Sequence, residues 1–154
     1  MQYDSSADTL RHIKRVNELM GEAAICLIRR SQIHDDSKLE EPEKSAFDIA
    51  TPKLKDLVFG TPEYQQSLDD LKPALDHHYA NNSHHPQFYK DGIDGMCLFD
   101  LLEMVIDWKA AGERGKRGNI FKSIDINKER FGVSDQLHQI LINTAERLFS
   151  STNI

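Results

Sequence analysis

The segment from Met96 to Trp108 limits most strongly what this chain can fold into, because it is apolar on nearly every side yet carries three acids. An α-helix that is apolar all round is a buried helix. Asp100, Glu103 and Asp107 recur at i, i+3 and i+7, so they share one face of that helix. A buried carboxylate is costly unless it is paired with a cation. The segment therefore predicts a central helix whose acids contact either a metal ion or basic side chains of neighbouring helices.

The rest of the chain is also predicted to be helical, since no run alternates with the period of two that a half-buried strand requires. Apolar spacing predicts a long helix over residues 5–31, with His12 at the edge of its apolar stripe, pointing inward or sideways. Prolines, glycines and capping residues divide the remaining residues into helical segments 42–50, 52–60, 61–79, 96–111, 119–129 and 134–149. With no repeat and no low-complexity linker, the sequence predicts a single all-α domain over residues 1–154.

Charge and composition exclude several classes of partner. The net charge of −6 argues against a surface that coats a nucleic acid polymer, which needs clustered lysine and arginine. No apolar run approaches the roughly 20 residues of a membrane span, and the polar start lacks the layout of a signal peptide. We therefore expect a cytoplasmic protein that binds a small molecule, with neither a nucleic acid polymer nor a membrane as partner. A homodimer stays open.

Histidine is the unusual component, because four of the seven histidines lie between His77 and His85. Metal sites gather histidines in this way, although a surface cluster is the alternative. If the segment were one helix, His77 and His84 would lie roughly 10 Å apart along its axis, too far to share one ion. Either two ions are bound, or the helix ends near Asn81–Asn82 and the chain folds back.

The dipeptide His34-Asp35 forms a third polar segment, at the boundary that ends the first helix. Imidazole and carboxylate together suit Mn, Fe, Co, Ni or Zn. Alone the dipeptide is weak evidence, because such pairs are common by chance. Together with the histidine cluster and the acids after Met96, it predicts a shared metal site.

The order of the candidate ligands along the chain resembles the metal-binding pattern of the HD superfamily. Its H…HD…D pattern is matched by His12, His34-Asp35 and Asp107, and Lys38 is similar to the lysine of the H-D-x-x-K variant in HD-GYP proteins.

A closer resemblance is to an uncharacterised family of small HD-like proteins. Its motifs H-D-x-S-K, H-H-x-x-x-N-x-H-H and E-M-x-x-D-W match residues 34–38, 77–85 and 103–108. The sequence departs from that pattern at Pro86, where the family has an aromatic residue.

The resemblance implies an HD-like helical bundle with a buried site for one or two divalent ions. It implies a metal-dependent phosphohydrolase that acts on a nucleotide or another small phosphate ester through a water molecule activated by the metal. The implied metal ligands are His12, His34, Asp35, His77, His84 and Asp107. The implied catalytic residues are Asp35, Glu103 and Lys38, and the implied substrate contacts are Lys38, Asn82, His78 and His85. Which histidine of each pair, 77/78 and 84/85, is a ligand stays open.

Two other functions stay open as well. Some HD-fold proteins hold two irons and use dioxygen, and the candidate ligands suit a two-metal centre of either kind. A non-catalytic module that senses a nucleotide is less favoured, because a degenerate site is expected to have lost a ligand. The basic stretch with Arg114, Lys116 and Arg117 is either a loop that closes over the substrate or an ordinary solvated loop.

Overall fold

The computed structural model describes residues 3–57, 61–114 and 118–150. Over these residues it contains no strand, and its six α-helices are α1 Ser6–Ile33, α2 Glu43–Asp56, α3 Pro62–Asn81, α4 Leu98–Glu113, α5 Ile120–Phe131 and α6 Asp135–Phe149. Three short 3-10 turns lie between them, at Asp36–Leu39, Pro86–Phe88 and Gly92–Gly95. The predicted all-α class is confirmed. None of the described helices combines the length and the apolar character needed to cross a bilayer.

Prolines were predicted to mark the boundaries of several helices, but fewer helices end at a proline than predicted. Pro52 lies inside α2 and Pro73 inside α3, so the predicted helix break at residue 52 is wrong. An interior proline removes one backbone hydrogen bond. Apolar contacts between α2 and α3, which bury Ala50 and Leu71, favour the continuous helices over that local loss. The predicted end of that segment at residue 60 lies outside the described residues.

The chain divides into two compact units, Met1–His34 and Asp35–Ile154. The first unit holds α1, which is described in full and has no buried residue. Its apolar stripe is exposed, for example at Leu10 and Met20, and so is His12. The expectation that His12 points inward or sideways stays a prediction, because a periodic stripe identifies a helix face without determining what covers it.

The described residues of the second unit form two apolar clusters. One joins α2 and α3, and the larger one joins α4 to α5 and α6 through Leu101, Met104, Val105, Ile120, Ile124, Val133, Leu141 and Ala145. The expectation that α4 is buried on all sides is only partly correct, since Leu98 and Ile106 are exposed. The buried face of α4 also carries Asp100, and this acid positions the loop that connects α3 to α4.

Asp100 ties the histidine loop, which we define as residues 82–97, to the start of α4. The residue is 2% exposed. Its Oδ1 accepts a hydrogen bond from the hydroxyl of Ser83 at 2.9 Å, and its Oδ2 accepts from the hydroxyl of Tyr89 at 2.7 Å. Oδ2 also accepts from the backbone N–H of Cys97 at 2.9 Å, which caps the first turn of α4. One carboxylate therefore holds three points of the loop.

Gly95 allows this loop to close upon Tyr89. A Cβ atom placed on Gly95 would lie 2.7 Å from the Cβ atom of Tyr89, which is closer than two such carbons approach. Any larger residue at position 95 must therefore displace Tyr89, together with the hydroxyl that Tyr89 donates to Asp100.

The first prediction concerns the stability that this carboxylate provides. We expect Asp100→Asn to lower the free energy of unfolding by about 1–3 kcal/mol, because the amide offers one acceptor oxygen and turns its NH₂ group toward a former donor. Urea unfolding followed by circular dichroism measures this. The matched control is Asp94→Asn, an exposed acid of the same loop, which should change stability by no more than about 0.5 kcal/mol. Equal stability of both variants would contradict the role of Asp100.

The second prediction concerns pH. Burial raises the pKa of Asp100, but the hydrogen bonds from Cys97, Tyr89 and Ser83 lower it further, so the pKa lies well below its ordinary range. Such a group stabilises the fold above the unfolded-state pKa of about 3.9, and this contribution is lost as the pH falls toward the folded-state pKa. The stability difference between wild type and Asp100→Asn should therefore be complete at about pH 6 and shrink below about pH 4. Urea titrations across this range measure it, and a constant difference would contradict it.

Candidate metal centre

Asp35 begins the site in an uncommon backbone conformation. Its φ of 60° and ψ of 15° lie in the left-handed region, which aspartate and asparagine tolerate better than most residues. Such conformations cost about 1–3 kcal/mol and concentrate at functional sites. The turn lets the ammonium group of Lys38 donate to Oδ2 of Asp35 at 2.6 Å. The other carboxylate oxygen, Oδ1, faces the histidines.

The rotation of α3 decides which histidine of the first pair lies inside. Leu71, Ala74 and His78 recur at i, i+3 and i+7, so His78 lies on the face that packs against α2. His78 is 1% exposed, whereas the side chain of His77 is 41% exposed. The structure therefore places His78, and not His77, beside Asp35.

The end of α3 brings the second pair of histidines back beside the first. The helix ends at Asn81, and the chain reverses through the histidine loop. The ring centroids of His78 and His85 lie 4.8 Å apart, and those of His84 and His85 lie 4.1 Å apart. Of the two arrangements considered for this segment, the one in which the chain folds back is confirmed.

Three imidazoles and one carboxylate converge at this point. Nε2 of His78 lies 3.3 Å from Oδ1 of Asp35, and Nε2 of His84 lies 3.4 Å from the same oxygen. Nε2 of His85 lies 2.9 Å from Nε2 of His78. One donor atom from each of the four residues lies within 4.8 Å of the other three. Two donors bound at about 2.1 Å to one tetrahedral ion are about 3.4 Å apart. The two contacts with Asp35 fit that spacing, whereas the 2.9 Å between His78 and His85 is a hydrogen-bonding distance.

Glu103 determines which nitrogen of His84 faces Asp35. Oε1 of Glu103 lies 3.2 Å from Nδ1 of His84. An ionised carboxylate only accepts hydrogen bonds, so Nδ1 of His84 carries the proton and Nε2 directs its lone pair at Asp35. The lone pair of Nε2 and those of the carboxylate oxygen repel each other unless a cation lies between the two atoms. That cation is either a metal ion or a second proton, which Nε2 itself would carry. A carboxylate behind a histidine is the usual support of a metal ligand.

The protonation of the cluster suits a metal ion. Burial raises the pKa of Asp35, but its contacts with His78 and His84 and the ammonium group of Lys38 lower it well below its ordinary range. Burial and the neighbouring His84 and His78 lower the pKa of His85 to about 3. At neutral pH the cluster therefore offers an ionised carboxylate and a neutral imidazole, which are the forms that bind metals.

The remaining predicted residues of the second unit lie around this cluster. A carboxylate oxygen of Asp107 lies within 4.8 Å of one from Asp35. The ammonium group of Lys38 is held by Asp35 and lies 5.6 Å from the ring centroid of Phe47. The amide of Asn82 donates to the hydroxyl of Ser37 and to the carbonyl of His78, at 2.8 Å each, so it holds the end of α3 in place.

Two of the predicted ligands belong to the first unit, whereas the cluster lies wholly in the second. His12 is on α1, and His34 is the half-buried residue that caps the C-terminus of α1. Their participation in a metal site stays a prediction. Lys116 and Arg117 of the predicted basic loop lie outside the described residues.

Glu43 is a residue of this region that the sequence motifs did not predict. It is fully buried, and its carboxylate contacts His77, His78 and Ser37. Burial raises the pKa of Glu43, but the hydrogen bonds from His77, Ser37 and His78 lower it below its ordinary value. A signal was present, because Glu43 is in register with the apolar face of α2 that carries Phe47, Ala50 and Leu54. An acid on an apolar stripe indicates a buried partner.

Comparison with curated proteins and with solved structures gives no match. A family model does match, and its match covers residues 1–147, which include every residue of the cluster. The chain therefore belongs to the family of unknown function DUF5662.

Proposed function

We propose that Asp35, His78, His84 and His85 bind a divalent metal ion, and that the protein uses this ion to hydrolyse a small phosphate ester such as a nucleotide. One observation carries the proposal: the Nε2 atoms of His78 and His84 converge on one oxygen of Asp35 at 3.3 and 3.4 Å. These separations equal those expected between two ligands of one ion, about 3.4 Å.

The donor set indicates which ions are suitable. Three imidazoles with one carboxylate favour Fe, Co, Ni or Zn over Mg or Ca, which prefer oxygen donors. Asp107 has an oxygen near Asp35 but is not among the four grouped donors, so it would serve a second ion or a water molecule beside the first ion.

The surrounding side chains support phosphate chemistry. When bound, a divalent ion lowers the pKa of a water molecule and polarises a phosphoryl oxygen. Lys38 is half-buried and has three N–H donors, one of which serves Asp35, so the ammonium group keeps donors for a phosphate oxygen. Glu103 would hold the ring of His84 during the reaction. The resemblance to HD phosphohydrolases supports a phosphate ester as the substrate class.

The third prediction tests the metal site itself. Asp35→Asn keeps the shape of the side chain and tolerates the left-handed backbone, so it removes only the charge. We expect the Kd for the metal to rise more than about 100-fold in this variant. Loss of a side chain that only supports a metal ligand already lowers metal affinity about 10–100-fold, and Asp35 is itself a ligand. Calorimetric titration of the metal-depleted protein with Co²⁺ or Zn²⁺ measures this. Asp36→Asn, an exposed acid on the same turn, is the matched control and should bind as wild type.

The outcomes separate the site from the reaction. Wild-type protein that binds no metal would overturn the site and favour histidines protonated around Asp35. Phosphate release from nitrophenyl phosphate and nucleoside monophosphates, present in the metal-loaded wild type and absent in Asp35→Asn, would support hydrolysis. Oxygen-dependent turnover by a protein loaded with two irons, without phosphate release, would replace hydrolysis by oxygenation.

The fourth prediction concerns Lys38. Lys38→Met keeps an apolar stem near Phe47 and removes the charge. We expect KM for a phosphate ester to rise on the order of tenfold, the size of one charged hydrogen bond, while metal affinity is kept or increased because Asp35 loses a competing cation. Steady-state kinetics and metal titration of the same preparation measure both quantities. An unchanged KM would remove Lys38 from substrate binding.

A further inference from the structure

We infer that Glu43 is a positioning residue of the metal centre, which holds the imidazole of His78 with its proton on Nδ1 and with Nε2 facing Asp35. The inference rests on the proposed metal site but is independent of the reaction catalysed there. Sequence motifs do not include Glu43, and only the packing of α2 on α3 brings it to His78.

Both oxygens of the Glu43 carboxylate contact neighbouring side chains. It is 0% exposed, and a buried carboxylate is costly unless it accepts hydrogen bonds. Oε2 lies 2.8 Å from Nδ1 of His78 and accepts from the hydroxyl of Ser37 at 3.1 Å. Oε1 lies 2.8 Å from Nδ1 of His77. Both carboxylate oxygens are therefore held, and His78 cannot turn its ring without breaking one of these contacts.

The proton between Glu43 and His78 belongs to the histidine. A carboxylate accepts but does not donate, so the 2.8 Å contact requires a proton on Nδ1 of His78. The amide nitrogen of Asn82 also lies 3.0 Å from this Nδ1. However, its two protons already serve the hydroxyl of Ser37 and the carbonyl of His78. The remaining ring nitrogen, Nε2, therefore presents its lone pair to the space that Asp35 and Nε2 of His85 border, at 3.3 and 2.9 Å.

The same arrangement occurs a second time in the cluster. Glu103 contacts Nδ1 of His84 at 3.2 Å, and Nε2 of His84 meets the same oxygen of Asp35 that Nε2 of His78 meets. Two carboxylate–histidine pairs, Glu43–His78 and Glu103–His84, thus approach Asp35 with the same nitrogen. A buried acid that served packing alone would have no reason to repeat this orientation.

His77 provides the matched control. It occupies the other oxygen of Glu43 but has no donor atom in the cluster. Glu43→Gln keeps the size and an acceptor oxygen but loses the charge that holds the Nδ1 proton. His77→Gln removes a partner of the same carboxylate while leaving the contact with His78. The two variants separate a role in positioning His78 from a general role in the buried network.

The experiment is a Co²⁺ titration of the metal-depleted full chain, followed by absorbance, with nitrogen NMR of the imidazoles as a second readout. We expect Glu43→Gln to raise the Kd for Co²⁺ about 10–100-fold and His77→Gln to raise it by no more than about threefold. In zinc-loaded wild type, His78 should carry its proton on Nδ1. This NMR measurement uses the wild type alone, so it tests the inference even where Glu43→Gln fails to fold.

Three results would overturn the inference: an unchanged Kd in Glu43→Gln, an equal loss in His77→Gln, or a proton on Nε2 of His78 in the zinc-loaded wild type. A wild type that binds no metal would overturn the inference together with the proposed site. Tight metal binding that depends on Glu43, without any phosphate release, would support the inference and overturn only the proposed hydrolysis.

Discussion

The meeting of two imidazole nitrogens at one oxygen of Asp35 is the contact on which the other polar features of the second unit depend. If these nitrogens bear lone pairs, a cation must lie among them, and their opposite ring nitrogens need acceptors. Glu43 and Glu103 supply those acceptors, and both are acids on helices that pack in the core. Glu43 in turn needs Ser37 and His77 to compensate its own burial. Each buried polar group of this network thus depends on the next one for its hydrogen bonds.

Much of the candidate site could be predicted from the sequence, but the choice between neighbouring histidines could not. The donor types and the acids of α4 follow from composition and helical spacing, and the reversal after Asn81 was one of two arrangements that the spacing left open. His77 and His78 are separated by one residue, which is about 100° around a helix axis. Which of them faces inward depends on the rotation of α3, and this is determined by the packing of Leu71 and Ala74 on α2. Tracing that spacing onward reaches His78, so the information was present but weak.

The fold shows the same division between local and non-local information. Periodicity predicted the all-α class, and capping residues predicted a helical segment 134–149, which α6 matches with Ser134 as its N-cap. Continuation of α2 through Pro52 was not predictable, because the local cost of a proline is visible in the sequence and the compensating contacts with α3 are not. The same reason applies to α1, whose stripe predicts a helix face and leaves open what covers it. Amphipathic spacing identifies a face, whereas burial depends on another part of the chain.

The three acids on one face of α4 have different roles, which change with their distance from the start of the helix. Asp100, in the first turn, accepts from backbone and hydroxyl donors, which compensate its burial. Glu103, one turn later, supports His84, and Asp107, a further turn along, comes near Asp35. A choice between a metal ion and basic partners is therefore too simple for this stripe, because Asp100 also accepts from hydroxyl and backbone donors. Helix α4 holds the histidine loop at its first turn and borders the cluster further along. The position of His84 therefore depends on the fold of the whole segment. For this reason the spacing of the donors is a property of the packed structure and not of any single motif.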